Sequence, residues 1–276
     1  MRVPVLCYHS VNVAGNQYAN NDHIAFAEDL ALIARLGMRV VPLRRLVDVL
    51  LGRIQVDLQG AVALSCDDGS DLDFFELDFP GYGRQRSFYQ SLLDFRGSLS
   101  PAAQNDLNLS CFVIADPEAR SRMDQACLFG RDWMAGRWWK EAAASGLITI
   151  ENHSFDHNHP CLPSPGPGGL LRGDFHAVAD QASAEFEIAG AQHWLATHLA
   201  PLQPRLFCYP FGHVNAFLRD HWLPTRGPEL GLDAAFGDGA EPVTQTSARW
   251  NLPRYICGWH WKSPLELERI LGDCLD

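Results

Sequence analysis

The chain has 276 residues, of which 47% are hydrophobic and 20% charged, and its formal net charge is −11. This composition excludes a disordered chain and a collagen-like repeat, and the length suits one large domain or two small ones. So acidic a chain is a poor partner for phosphate backbones and anionic lipid, and we therefore predict no nucleic-acid partner.

Short apolar runs alternate with amphipathic segments along the chain. We predict strands over residues 3–8, 38–42, 61–65, 109–115, 147–150 and 206–209. We predict helices over residues 24–37, 43–51, 137–145 and 175–199, the last with Asp174 as its N-cap. Alternating elements with continuous apolar strands predict a parallel sheet in a single α/β domain that spans residues 1–276. Residues 70–108 break the alternation and are predicted to form a long inserted loop region.

Eight cysteines are present, and no two of them form a C-x-x-C pair. We interpret them as reduced thiols in a reducing compartment. The apolar run after Met1 is too short for a signal-peptide core, and no uninterrupted apolar stretch approaches a membrane span. We therefore expect a cytoplasmic protein without a membrane span; the sequence assigns no oligomeric state.

Polar residues concentrate where the predicted strands end. These segments are His9-Ser10, Asp67-Asp68-Gly69, His153 to His157, and Pro210-Phe211-Gly212. In a closed parallel barrel all such ends lie on one face, where active sites are built. In a doubly wound sheet they would meet in a crevice instead.

Two of these segments carry residues that could bind a metal. Asp67 and Asp68 end a buried strand, and adjacent carboxylates there need a cation or hydrogen-bond donors, although an acidic turn is the simpler reading. His153 and His157 are four residues apart and could converge on one cation, or they could belong to a hydrogen-bonded polar loop. Asp68 with both histidines would make a two-His, one-carboxylate site of the kind used in catalysis.

Five motifs in the same order make the sequence resemble the polysaccharide deacetylases, the metal-dependent carbohydrate esterases of family 4. PVLCYHSV resembles the opening strand of that family, SCDDG its T-F-D-D-G motif, HSFDH its H-[ST]-x-x-H motif, FCYPFG its aromatic-Pro-aromatic-Gly motif, and LPRYIC its late I-P-R strand. The resemblance covers nearly the whole chain apart from residues 70–108. It implies an irregular (β/α)7 barrel.

The resemblance also implies roles for individual residues. Asp67 would be the general base, Arg254 would hold Asp67 ionised, and the backbone N–H of Phe211 would stabilise the oxyanion. The divalent metal would be bound by Asp68, His153 and His157. These ligand types favour Zn²⁺ and also admit Co²⁺, Ni²⁺ or Fe²⁺.

The general acid departs from the family pattern, because the late histidine motif is not preserved. His260 is the histidine in that region and is our prediction for the acid, with His9 and His213 as rivals just beyond strand ends. His159 is an alternative metal ligand. Trp259 and Trp261, which flank His260, are expected to pack against the protein, and the alternative is a platform on which a sugar stacks.

The resemblance predicts a metal-dependent hydrolase that removes an N-acetyl group from an N-acetylated sugar. The alternatives are an O-acetyl esterase or small-amide hydrolase on the same metal site, and a non-catalytic glycan-binding relative. In the cytoplasm the substrate would be a glycan precursor, which points to cell-surface glycan biosynthesis.

Overall fold

A curled parallel sheet forms the centre of the molecule. The computed structural model describes residues 1–100, 103 and 105–275. Its strands are β1 (Val5–Tyr8), β2 (Arg39–Val40), β3 (Ala61–Cys66), β4 (Leu77–Phe79), β5 (Gly83–Gln85), β6 (Leu109–Val113), β7 (Ile148–Asn152), β8 (Leu206–Cys208), β9 (Ala234–Phe236) and β10 (Tyr255–Ile256).

Helices cover the strands on the outside. They are α1 (Asp22–Arg35), α2 (Leu43–Leu50), α3 (Phe88–Ser98), α4 (Pro117–Cys127), α5 (Trp139–Ala144), α6 (Gln181–Ala184), α7 (Gly190–Leu199), α8 (Leu223–Glu229) and α9 (Pro264–Gly272). A π-helical turn, Glu185–Ala189, joins α6 to α7. Within the described ranges, no helix combines the length and apolar character that crossing a membrane requires.

Seven parallel strands form a nearly closed ring in the order β10-β1-β3-β6-β7-β8-β9, and β2 pairs with β3. The last strand, β10, pairs with β1. Just before it, the N–H of Leu252 donates to Ala235 O at 2.8 Å, and Leu252 O accepts from the N–H of Gly237 at 2.9 Å. Residues 252–256 therefore connect the two ends of the sheet, and the expected irregular (β/α)7 barrel is confirmed.

Both faces of the strands are buried, which explains why their sequences are continuously apolar. In β1, Leu6 and Tyr8 pack in the cluster that contains Phe26 of α1. Val5, on the opposite face, packs in the cluster that contains Phe112 and Phe236. Each such side chain contributes about 1.5–3 kcal/mol to stability when fully buried. A parallel sheet that is covered on both faces needs this pattern.

The helix predicted over residues 175–199 is wrong in its first part. Asp174 caps only a short 3-10 turn, Phe175–Ala177. The backbone is then extended at Asp180 (φ −139°, ψ 168°), whose carboxylate accepts from the N–H of Ser183. Because an N-cap residue is not helical itself, the helical run begins at Gln181.

The inserted region also contains more regular structure than the predicted loop. A turn at Pro80-Gly81, with Gly81 at φ +84°, joins β4 to β5 in an antiparallel hairpin. Ser87 caps α3, and Phe88 of that helix packs on Phe26 with ring centroids 4.7 Å apart. Helix α3 therefore belongs to the core beside β1. Residues 101, 102 and 104 of this region lie outside the described residues.

Candidate active site

The polar segments that follow the strands surround one cavity of about 570 Å³. Its lining residues are His9, Asp67, Asp68, Met123, His153, His157, His159, Phe211, Gly212, His213, Asp238, Arg254, Ile256 and Trp259. The structure thus brings together six of the seven predicted site residues. Their chemical roles remain predictions.

Three of these side chains form a set of metal-ligand type. Oδ1 of Asp68 lies 3.8 Å from Nε2 of His153 and 3.8 Å from Nε2 of His157. Nδ1 of His153 lies 3.0 Å from the carbonyl oxygen of Cys208, to which it donates, so the lone pair of Nε2 faces Asp68. Burial lowers the pKa of His157 well below its ordinary value and keeps the imidazole neutral. Two imidazole nitrogens beside a carboxylate oxygen are a ligand set that fits a divalent cation.

The loop after β7 holds the two histidines in a strained backbone. Ser154 and His157 both have positive φ, +70° and +64°. Hydrogen bonds hold this conformation, because Asn152 Oδ1 accepts from the N–H of Ser154 at 2.8 Å and Ser154 Oγ accepts from the N–H of His157 at 2.9 Å. Such backbone strain costs about 1–3 kcal/mol per residue and clusters at functional sites.

The glycine that follows the paired aspartates is required by packing. Gly69 has φ +76°, and a Cβ built on it would lie 2.5 Å from Cγ1 of Val113 in β6. Asp68 also has positive φ, +74°. The sequence Asp-Asp-Gly therefore turns sharply at the end of β3 while the backbone remains against β6.

Asp67 and Arg254 form a buried, bidentate ion pair. Nη1 and Nη2 of Arg254 donate to Oδ1 and Oδ2 of Asp67 at 2.7 and 2.8 Å. Arg254 also donates through Nε to the carbonyl oxygen of Gly237 at 3.1 Å. Burial alone raises the pKa of Asp67, but the guanidinium outweighs it and holds that pKa well below the usual range. Asp67 is therefore ionised, with Oδ2 only 3.9 Å from Nε2 of His153.

Phe211 forms part of the cavity wall directly after β8. It has φ +59° within the turn Pro210–Gly212. The residue is 40% exposed, and its ring packs edge-on against His157, with centroids 4.4 Å apart. The aromatic side chain therefore lies next to the metal-ligand set and is open to a ligand in the cavity.

His260 is the predicted site residue that does not line the cavity. Its Nδ1 accepts from the backbone N–H of Ile256 at 2.7 Å, and burial lowers its pKa. The reason is a tight turn in which the N–H of Gly258 donates to Trp261 O at 2.9 Å. This turn places His260 on the backbone and leaves Trp259 at the cavity, with 80% of its surface exposed.

Of the two rival histidines, His9 lies nearer to the base. Its Nε2 is 3.8 Å from Oδ2 of Asp67, and its backbone N–H donates to Asp22. His213 also lines the cavity, but its Nδ1 is 3.1 Å from Oδ1 of Asp174. The sequence carried a usable signal for His9, because it directly follows β1 and β1 is the neighbour of β3 in the sheet.

The two tryptophans differ in environment. Trp261 is 1% exposed and donates through Nε1 to Asp29 at 3.2 Å, so the expectation that it packs is correct. Trp259 does not pack, since most of its surface is exposed beside the cavity. His159 also lines the cavity, and its Nδ1 lies 3.0 Å from Sγ of Cys161.

A family model and several solved structures match this chain. The polysaccharide deacetylase family model matches residues 98–221, which include both histidines and the aromatic-Pro-aromatic-Gly motif. The resemblance to polysaccharide deacetylases is thereby confirmed, and it supports a hydrolytic deacetylase that acts on a carbohydrate. No curated protein sequence matches this chain.

Solved structures share the fold over nearly the full chain. The Streptococcus pyogenes deacetylase PplD, solved in complex with acetate, is 15% identical, with 98% of each chain covered and a TM-score of 0.62. IcaB from Ammonifex degensii is 23% identical, with 100% of this chain and 97% of that chain covered and a TM-score of 0.59. The BpsB deacetylase domain from Bordetella bronchiseptica is 16% identical, with 92% and 95% covered and a TM-score of 0.57.

Proposed function

We propose that this protein is a metal-dependent hydrolase that removes the N-acetyl group from an N-acetylated sugar of a glycan or glycan precursor. The observation that carries the proposal is an ionised carboxylate, Asp67, fixed by Arg254 at 3.9 Å from a histidine of the metal-ligand set. A base beside metal ligands in an open cavity is the arrangement that metal-assisted hydrolysis needs.

Asp68, His153 and His157 would hold the cation. Two imidazoles and one carboxylate suit Zn²⁺, and the same ligand types accept Co²⁺, Ni²⁺ or Fe²⁺. A divalent cation supplies Lewis-acid polarisation of a carbonyl and lowers the pKa of water.

The remaining residues handle protons and charge. Asp67 accepts a proton from the attacking water, and Arg254 keeps the carboxylate oriented and deprotonated until then. The backbone N–H of Phe211 stabilises the charge that develops on the acyl oxygen. His9 gives a proton to the nitrogen as the C–N bond breaks, so that acetate and a free amine result. His9 replaces His260 in this proposal because it lies at the cavity, 3.8 Å from Asp67.

The test compares amide and ester substrates on metal-loaded protein. Purified protein is stripped with a chelator and reloaded with Zn²⁺, Co²⁺, Ni²⁺ or Fe²⁺, and acetate release is measured from N-acetylglucosamine oligomers and from O-acetylated sugars at equal concentration. We expect release from the N-acetylated oligomers that requires metal. Release from the esters alone would favour the esterase, and tight glycan binding without hydrolysis would favour a binding protein.

Two variants separate metal binding from catalysis. Asp68→Asn removes a ligand and should lose both metal and activity. Asp67→Asn should keep the metal but lose about 10²–10⁴-fold in turnover, which is the typical contribution of a general base. Full activity in a metal-loaded Asp67→Asn protein would contradict the mechanism.

We also propose that the protein works in the cytoplasm, on a precursor of a cell-surface glycan. All eight cysteines are free thiols, and six of them are buried, which supports a reducing compartment. The proposal that residues 1–276 form one catalytic domain is supported by the contact between Asp67 and Arg254 across 187 positions. Cell fractionation and limited proteolysis test these two proposals.

A further inference from the structure

A second group of ligand-type side chains is distinct from the set formed by Asp68, His153 and His157. Cys127, His159 and Cys161 each place a ligand atom within 4.8 Å of the other two. Cys127 is the last residue of α4, and the other two follow the loop that carries His153 and His157. His159 also lines the active-site cavity.

The contacts of His159 place its Nδ1 beside the sulfur of Cys161. Its Nδ1 accepts from the backbone N–H of Cys161 at 3.2 Å and lies 3.0 Å from Sγ of the same residue. A ring nitrogen that accepts a hydrogen bond is unprotonated, so the proton of this imidazole is on Nε2. A metal ion bound here would take the Nδ1 lone pair in place of the N–H of Cys161 and would replace the protons of the two thiols.

These thiols differ from the others in accessibility. Cys127 is exposed and Cys161 is partly exposed, whereas the remaining six cysteines are buried. An ion can therefore reach this group from solvent or from the cavity. Two sulfurs and one imidazole are ligands for borderline and soft cations and are poor ligands for Mg²⁺ or Ca²⁺.

We propose that Cys127, His159 and Cys161 bind a second metal ion of the Zn²⁺ or Cd²⁺ class, with a fourth coordination position left open. This proposal does not depend on the deacetylase function. Binding would connect the end of α4 to the segment after the histidine loop, where Asn158 has φ +44° in addition to the strained residues before it. Because the ion would bind the folded chain in preference to the unfolded chain, its binding is expected to raise thermal stability.

The test follows the thiolate–metal bond directly. The protein is kept oxygen-free with a non-coordinating reductant and titrated with Co²⁺ or Cd²⁺, while thiolate-to-metal charge-transfer absorption and the number of bound ions are measured. We expect two ions per wild-type chain and a charge-transfer band from one of them. The Asp68→Asn variant should keep the band, because that residue belongs to the other site.

A matched set of cysteine variants locates the band. The double variant Cys127→Ser/Cys161→Ser should lose the band and one of the two ions, and Cys274→Ser, a cysteine outside the group, should retain both. A band that persists in the double variant, or its absence in wild type, would overturn the proposal. So would a disulfide between Cys127 and Cys161, found by peptide mapping of protein kept in reductant.

Discussion

The guanidinium of Arg254 donates two N–H···O bonds, of 2.7 and 2.8 Å, to the two carboxylate oxygens of Asp67. Both side chains are nearly inaccessible, with 5% or less of their surface exposed. Removing one partner would leave a buried charge without a counterion, which costs about 3–5 kcal/mol. The pair therefore serves both the stability of the barrel and the protonation state of the proposed base.

Replacing Arg254 should change the pH dependence of activity. The Arg254→Lys variant keeps a positive charge but loses the two-pronged contact, so the pKa of Asp67 should rise. The acidic limb of the kcat/KM profile should then move to higher pH, and the maximum should fall by about 10-fold or more.

A surface arginine provides the control for that variant. Arg205 pairs with Asp48 and Asp233 away from the cavity. Arg205→Lys makes the same chemical change there and should leave the pH profile unmoved. If Arg254→Lys also has the wild-type profile, Arg254 does not set the protonation of the base.

Two substrates that differ in whether the leaving group must be protonated can distinguish His9 from His260 as the proton donor. The His9→Gln variant should lose about 10²-fold or more in kcat on an N-acetyl amide, whose nitrogen must be protonated to leave. On an acetyl ester of an acidic phenol, whose leaving group needs no proton, the loss should be small. His260→Gln should resemble wild type on both substrates; the reverse result would return the role to His260.

Asp29 should make folding stability depend on pH. Burial raises its pKa to about 7, although the carboxylate accepts from Tyr8, Tyr18 and Trp261. In the unfolded chain an Asp ionises near pH 3.9. Between these values the folded state holds the extra proton, so the stabilisation present below about pH 4 is lost as pH rises through about 7.

Urea unfolding of wild type and Asp29→Asn across that range tests this contribution. The substitution itself lowers the unfolding free energy at every pH, because the amide group of Asn faces the hydrogen-bond donors of Tyr8, Tyr18 and Trp261. The informative quantity is therefore how the difference in unfolding free energy between the two proteins changes with pH. That difference should move in favour of Asp29→Asn as pH rises from 4 to 7. A constant difference would show that Asp29 titrates alike in the folded and unfolded chains.

Two glycines with similar φ should separate backbone strain from steric clash. Gly37 has φ +69° with open space around it, whereas a Cβ on Gly69 would meet Val113 at 2.5 Å. Gly37→Ala should cost about 1 kcal/mol, as expected for a left-handed residue. Gly69→Ala should cost clearly more and should also shift the aspartates beside it. Equal losses in unfolding free energy would show that β3 and β6 can separate.

The residues at strand ends were predictable because they follow apolar runs without a break. Asp67, Asp68, His153 and His157 all follow buried strands, and parallel pairing brings such ends to one edge of the sheet. Their convergence on one edge of the sheet could therefore be predicted without knowing the conformation of the loops.

The departures come from turns, whose backbone conformation the sequence pattern leaves open. His260 and Trp259 are adjacent, and only the bend at Gly258 decides that the tryptophan lies at the cavity. The helix starts after Asp180 because Asp180, like Asp174, acts as an N-cap. The sequence offers an aspartate at both positions and does not show which of them caps the long helix. The hairpin formed by β4 and β5 did have a sequence signal, because the turn-forming pair Pro80-Gly81 lies between the two short strand segments.

The position of Arg254 also affects when the protein can become active during synthesis. Arg254 lies in the segment that joins β9 to β1, so the proposed base acquires its counterion only as the ring closes. A nascent chain that has not yet reached Arg254 has Asp67 without this partner and no completed cavity wall. We therefore expect hydrolysis only after residues 252–256 have been synthesised and have paired with both neighbouring strands.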